Sequence, residues 1–418
     1  METIRVMNRP EDYAEANINK EHVEVWEEGE RNKGNKGCLE WWYSDCDTED
    51  GIKIGVNFSL YQILTGASGE GYNPFVYFNI QMPDGTVKNH FMMFRDEDTS
   101  VSKDKCEVVL GNNRFEGDLD TYYIVINGDE GTKIDVTLKS TSSAWRPGTG
   151  YVLNETTDQF FTWLCAVPRG DVSGTLTVDG REYDVKGTGY HDHQWPSIQT
   201  FFFWNQWVWA RQQHDDYTMV LFDCVAPEAN DYRRIPIFFI EDREGNVIFD
   251  NTDTETCRVE IPETLVHDKC GRTYPAVSRY IFTKGDTEVE YTLTAGKEFV
   301  YTDHYAIAPA PLKAVFDAKG VDTKYSRYAA VGDFVMKRGG EKVLETWSPL
   351  SPLAVVPHCP TQTGTWRSRQ MLKCFFCEGL RRRRGTRISP MNSLWLSLSS
   401  SQTEILVGNC RVKAPWGT

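Results

Sequence analysis

Residues Gly187 to Ser197 read GTGYHDHQWPS and stand between two batches of short apolar alternations, from about Cys38 to Val185 and from about Thr200 to Glu345. Within each batch, runs rich in Val, Ile, Phe, Tyr and Thr, such as Ile52 to Tyr61, Tyr122 to Ile126 and Lys133 to Lys139, are punctuated by Gly, Asp and Asn. Period-two alternation broken in this way marks strands joined by tight turns. Asp84-Gly85, Asp179-Gly180 and Glu244-Gly245-Asn246 carry the clearest hairpin signals, because these residues tolerate positive φ. No βαβ alternation interrupts the pattern, so the expected class is all-β, with two antiparallel barrel-like domains and an irregular C-terminal tail. The expected division is a leader over 1–36, one barrel over 37–190, a second over 191–346 and a basic, Ser/Arg-rich tail over 347–418. In the leader, the Glu-rich EHVEVWEEGE of residues 21–30 is the main helix candidate, a solvated segment being the alternative.

Charge and composition narrow the partners. The net charge of -15 is uneven: eight Arg and two Lys against Glu378 and Glu404 make residues 351–418 basic, and the remainder more acidic still. An acidic body repels nucleic acid and anionic membrane surfaces, which need cationic contacts. Thirteen Trp, nineteen Tyr and twenty-one Phe favour an apolar small molecule as partner instead. The eleven cysteines are odd in number and thinly spread, which favours reduced thiols over a disulfide framework. The N-terminus has no basic start followed by an apolar core, and no apolar run approaches the ~20 residues of a membrane helix, so a soluble cytoplasmic protein is expected. In the tail, Cys374-x-x-Cys377 lacks a second ligand pair for zinc, and Arg381 to Arg384 reads as a solvated charge run.

Strand alternation over GTGYHDHQW places His191, His193 and Trp195 on one face and Tyr190, Asp192 and Gln194 on the other. Such a density of titratable groups points to chemistry, the alternative being a hydrogen-bonded domain junction. Histidines at i and i+2 also match metal-ligand spacing on a strand. Only His214 is at hand as a third ligand, and its HDD context reads as a turn, so no metal is expected. Phe201 to Trp209, FFFWNQWVW, reads as a strand apolar on both faces, with Asn205 and Trp207 able to line a pocket. In Tyr217 to Val225, Asp223 shares a face with Leu221 and Met219, where desolvation would make it a proton donor. Early in the chain, Glu40, Trp42 and Ser44 share one face and Trp41, Tyr43 and Asp45 the other. No Walker loop, G-x-S-x-G elbow, H-E-x-x-H or Rossmann fingerprint is present, and no cofactor is expected.

LEWWYSD near the start and GTGYHDHQW at the seam resemble the hydroxyneurosporene synthase (carotenoid hydratase) family, which includes kievitone hydratase and, more distantly, fungal Diels-Alderases; the similarity covers roughly Gly37 to Glu345. The resemblance implies two lipocalin-like β-barrels with a ligand cavity near their junction, and a cofactor-independent hydratase that adds water to an isoprenoid double bond. It carries roles onto His193 and Trp195. A Tyr-x-Asp element of the family falls on Leu221 and Asp223, so the carboxylate is kept and the tyrosine replaced. The chemistry asks for an acid kept protonated in a dry pocket, from Asp223 or an Asp192 and His193 relay. Trp195, Trp207 or Trp42 would stabilise the cation, and water held by His191 or His193 would capture it. The expected catalytic set is therefore His191, Asp192, His193, Trp195 and Asp223, with Trp42, Tyr190, Asn205, Trp207 and Leu221 binding substrate. A cyclase, isomerase or Diels-Alderase, and a non-catalytic lipocalin-like carrier, are the alternatives.

Overall fold

The structure, a computed structural model, describes residues 4–32, 37–61, 71–214, 216–308, 310–349, 353–357, 405–407 and 410–412. The tail motifs Cys374-x-x-Cys377 and Arg381 to Arg384 lie outside the described residues. Nearly every apolar alternation becomes an antiparallel strand, and most described strands gather into two large curled sheets of the lipocalin-like type, with a three-stranded and a two-stranded sheet beside them. The first runs from Glu40–Thr48 to Arg181–Gln194, the second from Gln206–Gln213 to Leu353–Pro357. The three hairpin turns form where their residues demand. Asp179 and Gly180 both take positive φ, 52° and 72°, between Leu164–Val178 and Arg181–Gln194, and Gly85 and Gly245 do the same at theirs.

Arg181–Gln194 lies inside the first sheet, paired with Glu40–Thr48 on one side and Leu164–Val178 on the other, so that His193 stands opposite Trp42 and His191 opposite Ser44. Both neighbours crowd its glycines. A Cβ on Gly187 would collide with the Asp47 carbonyl, and one on Gly189 would come within 2.6 Å of Val172 Cγ2 and 2.9 Å of the Asp45 carbonyl. These glycines serve close approach of strands.

Side-chain alternation sorts most of the core into three compartments, and a small fourth cluster gathers around Phe316. Trp42, Phe58, Phe115, Tyr122 and Leu138 fill the interior of the first sheet, and Met219, Leu221, Phe238, Tyr280 and Phe334 that of the second. Between the sheets, Trp163, Tyr190, Trp204, Phe222 and Phe239 form a third, aromatic layer. The leader is not a solvated segment. Ile4–Val6 pairs with Tyr151–Asn154, and the 3-10 turn Val25–Glu28 enters the first interior, where the Trp42 indole N–H donates to the Glu28 carbonyl at 3.0 Å.

The reading of Phe201 to Trp209 as one strand is corrected: Thr200–Phe203 is a short helix, and the strand begins at Gln206. After Pro196 the chain must cross from one sheet to the other, and the helical turn lets Phe201 and Phe202 pack on Phe316 while Phe203 stacks on Phe161. In the second sheet, Leu353–Pro357 pairs with both Gln206–Gln213 and the first half of Lys324–Arg338, whose second half pairs with Glu341–Pro349, and so joins the two halves of the sheet. Seven described cysteines are free. Among the described residues no helix is long and apolar enough to cross a membrane.

Candidate active site

The two faces of Arg181–Gln194 serve different compartments, as alternation requires. On the inner face, His191 Nδ1 lies 2.8 Å from the Tyr43 carbonyl, which can only accept, so Nδ1 carries a proton. Its Nε2 meets Glu28 Oε2 at 2.7 Å, where the Tyr122 hydroxyl also donates at 3.0 Å. A proton therefore lies between ring and carboxylate. His193 Nε2 is 2.9 Å from Glu40 Oε1, and Glu40 also accepts the backbone N–H groups of Arg31 and Asn32, each at 2.8 Å. His193 Nδ1 is 3.5 Å from Glu28 Oε1. Its ring stacks on Trp42, with centroids 4.5 Å apart and planes at 13°, and tilts against Trp195 at 4.6 Å. All four ionisable groups are fully buried. Burial opposes the charge on Glu28, but His191 and His193 hold its pKa down to about 2. Burial likewise opposes the charge on His193, and hydrogen bonds to Glu28 and Glu40 raise its pKa nonetheless.

On the outer face, toward the aromatic layer, Asp192 Oδ2 accepts from the Tyr190 hydroxyl at 2.8 Å, Trp163 Nε1 at 3.2 Å and Gln194 Nε2 at 3.4 Å. Its other oxygen, Oδ1, is buried with no hydrogen-bond partner among the described residues. Burial raises the Asp192 pKa to about 6 against the pull of Tyr190 and its other donors. The second sheet contributes Trp209, whose ring lies 5.3 Å from that of Tyr190, and Arg211, which is fully buried. Arg211 Nη2 is 2.6 Å from Asp45 Oδ1 and its guanidinium sits 5.0 Å over the Tyr190 ring. Arg211 Nε and Nη1 and Trp209 Nε1 have no hydrogen-bond partner among the described residues. A cavity of about 20 Å³ lies at the edge of this seam between Asp45 and Arg327, room for roughly one water.

The expected site residues thus divide. His191, His193, Trp195 and Trp42 meet in the first interior, whereas Tyr190, Asp192 and Trp207 face the aromatic layer. The Asp192 and His193 relay is corrected, because neighbours on an extended strand point to opposite sides. Asp223 joins neither group. On its strand Phe222 packs on Trp163 across the seam, so Asp223 and Leu221 turn into the second interior, where Arg234 and the Tyr280 hydroxyl bind Asp223 Oδ2 at 2.5 and 3.0 Å. Burial raises the Asp223 pKa, opposed by these two partners. Asn205, between the short helix and its strand, is half-buried and donates its backbone N–H to Val225. His214 forms the expected turn, its N–H donating to the Tyr217 carbonyl at 2.8 Å. Glu28, Cys106 and His191 offer donor atoms within 4.8 Å of one another. A cation there would have to displace the proton between Glu28 and His191 and ionise Cys106, whose pKa burial drives well up.

Residues 16–264 match the model of the Diels-Alderase-like family. The chain belongs to that family. No curated protein sequence is a match. Among solved structures, a putative AttH from Nitrosomonas europaea shares 15% identity over 81% of this chain and 98% of its own, with a TM-score of 0.54. CghA with Sch210972 shares 14% identity over 85% and 98%, at a TM-score of 0.51. Kievitone hydratase from Nectria haematococca follows at 14% identity over 81% and 94%, with a TM-score of 0.49. At such identities the likeness to the AttH and CghA structures speaks for the shared fold.

In this Diels-Alderase-like protein, sequence reasoning missed Glu28, Tyr122, Trp163 and Arg211. Glu28 stood in a run read first as a helix, 163 residues from its histidine. Glu40 was placed on the correct face with Trp42, and that shared face was the one available signal.

Proposed function

We propose that the protein is a cofactor-independent acid–base enzyme of secondary metabolism, acting in the cytosol on an apolar, isoprenoid or prenylated substrate in the manner of a carotenoid hydratase. The observation that carries this reading is Asp192: one oxygen is fixed by Tyr190 and Trp163, the other is free, and the carboxyl is protonated up to about pH 6 in a dry aromatic seam. Such a group is a general acid for an alkene. Oδ1 delivers its proton to one alkene carbon, and the π-faces of Tyr190, Trp163 and Trp209 stabilise the resulting tertiary cation. Water adds to the cation and returns a proton to Asp192, so the carboxyl is regenerated. In this reading His193, Glu28 and Glu40 hold the strand from behind, and Asp223 serves the second interior.

A second reading, a cyclase or Diels-Alderase, draws support from the family match and from Arg211 and Trp209, whose unpartnered N–H groups face the seam and could activate a carbonyl. Incubation of the full-length protein with prenylated and polyene substrates in ¹⁸O-water separates the two. Hydration adds one labelled water, and cyclisation leaves substrate mass unchanged. Asp192→Asn should abolish the first product. Turnover undiminished in that variant sinks the acid role, and bound ligand recovered unchanged from every incubation leaves only a carrier.

A further inference from the structure

At one end of the second sheet, the turn after Cys257–Val266 reads His267-Asp268-Lys269-Cys270 and folds a histidine back onto a thiol. Cys270 Sγ is 3.3 Å from His267 Nδ1, and His267 Nε2 is 2.6 Å from Glu298 Oε1. Lys269 and His267 hold the Glu298 pKa below its ordinary value against the burial that raises it. A carboxylate can only accept, so His267 carries its proton on Nε2 and turns the Nδ1 lone pair to the thiol. The imidazole cannot swing away. It is packed between the rings of Tyr274 and Tyr301 at 5.0 and 4.8 Å, and its backbone N–H is bonded to the Arg272 carbonyl. Nucleophile, base and orienting carboxylate are thus in the order that activates a nucleophile.

Hydroxyl groups surround the sulfur as well. The Tyr274 hydroxyl is 3.6 Å from Cys270 Sγ. On the neighbouring strand Tyr328 stands opposite Glu298 and Ser326 opposite Tyr301; both are buried, and the Ser326 hydroxyl bonds with Tyr274, Tyr328 and Glu298. Cys270 itself is half-buried, unlike the five buried thiols among the described residues.

We propose that Cys270 is a nucleophilic modification site for α,β-unsaturated carbonyl compounds, with His267 as base, Glu298 as its orienting partner and the Tyr274, Tyr328 and Ser326 hydroxyls as donors to the carbonyl oxygen. The thiol proton passes to His267 Nδ1 as sulfur bonds to the β-carbon. The alkene electron pair moves onto the carbonyl oxygen, and His267 then returns the proton to the α-carbon. The product is a thioether, with no net oxidation.

The test is the rate of acrylamide addition to the full-length protein at pH 7.5, followed by mass spectrometry of the Cys270 and Cys257 peptides with glutathione in the same tube. Cys270 should react about tenfold faster than glutathione, His267→Gln should remove about tenfold of that rate, and Glu298→Gln should remove a smaller part. Cys257 labelling should stay constant across the series. A wild-type Cys270 rate at or below that of glutathione overturns the proposal, as does a rate indifferent to Glu298→Gln should the histidine variant fail to fold.

Discussion

Asp192 and Glu28 are both fully buried carboxyl groups, yet their pKa values move in opposite directions because of what faces them. Burial raises Asp192 to about 6, its neutral donors offsetting only part of that, whereas on Glu28 two imidazoles overcome the same burial and bring the pKa down to about 2. In the proposed role of proton donor Asp192 is competent only when protonated, so the proposed hydration should be level below about pH 6 and decline above it; a pH–rate profile checks this, and Asp192→Asn should be inactive throughout. For Glu28 the folded pKa lies below the unfolded one. Its stabilisation is present above about pH 4.5 and is lost as pH falls toward 2. Glu28→Gln should therefore lower stability at pH 7 by about 3–5 kcal/mol, as expected for a broken buried pair, with a smaller penalty near pH 2, read from urea unfolding. Glu241 provides a control of opposite sign, since burial drives its pKa up to about 9 against the Ser143 backbone N–H. Its contribution is full below about pH 4.5 and lost as pH rises toward 9, so Glu241→Gln should flatten the decline of stability over that window.

Among the elements, Arg181–Gln194 is the one on which both faces of the candidate site depend. Its alternation was legible from GTGYHDHQW, as were the hairpin turn at Asp179-Gly180 and the sharing of one face by Glu40 and Trp42. The role of the glycines was not, because sequence cannot show how near the adjacent backbones come. Gly187→Ala should cost about 1–3 kcal/mol through the clash with the Asp47 carbonyl, measured as a lower urea midpoint. Nor could alternation show that Glu28 arrives from a 3-10 turn outside the sheet, since an acidic run carries no period. The helix at Thr200–Phe203 escaped for a related reason: a run of aromatic residues is apolar in either conformation, and the crossing between sheets decided it.

At the scale of the whole molecule, the two sheets pack through the layer of Trp163, Tyr190, Phe222 and Phe239, and each keeps an interior of its own. Two strand batches implied two curled sheets; which side chains would lie between them depended on partners in the other batch, as with Trp163 and Phe222 or Trp145 and Phe239. Continuity of the second sheet rests on Leu353–Pro357, whose Val355 pairs with Val208 and Ser326. Val355→Pro removes a ladder donor between two central strands. It should lower the melting temperature and favour self-association, seen by differential scanning fluorimetry and size-exclusion chromatography. The two-faced strand has a further consequence for how such a protein diversifies. Inward residues anchor it through histidine–glutamate pairs, and in the proposed reading outward residues meet the ligand, so substitutions that retune selectivity can accumulate on one side while foldability is inherited intact on the other.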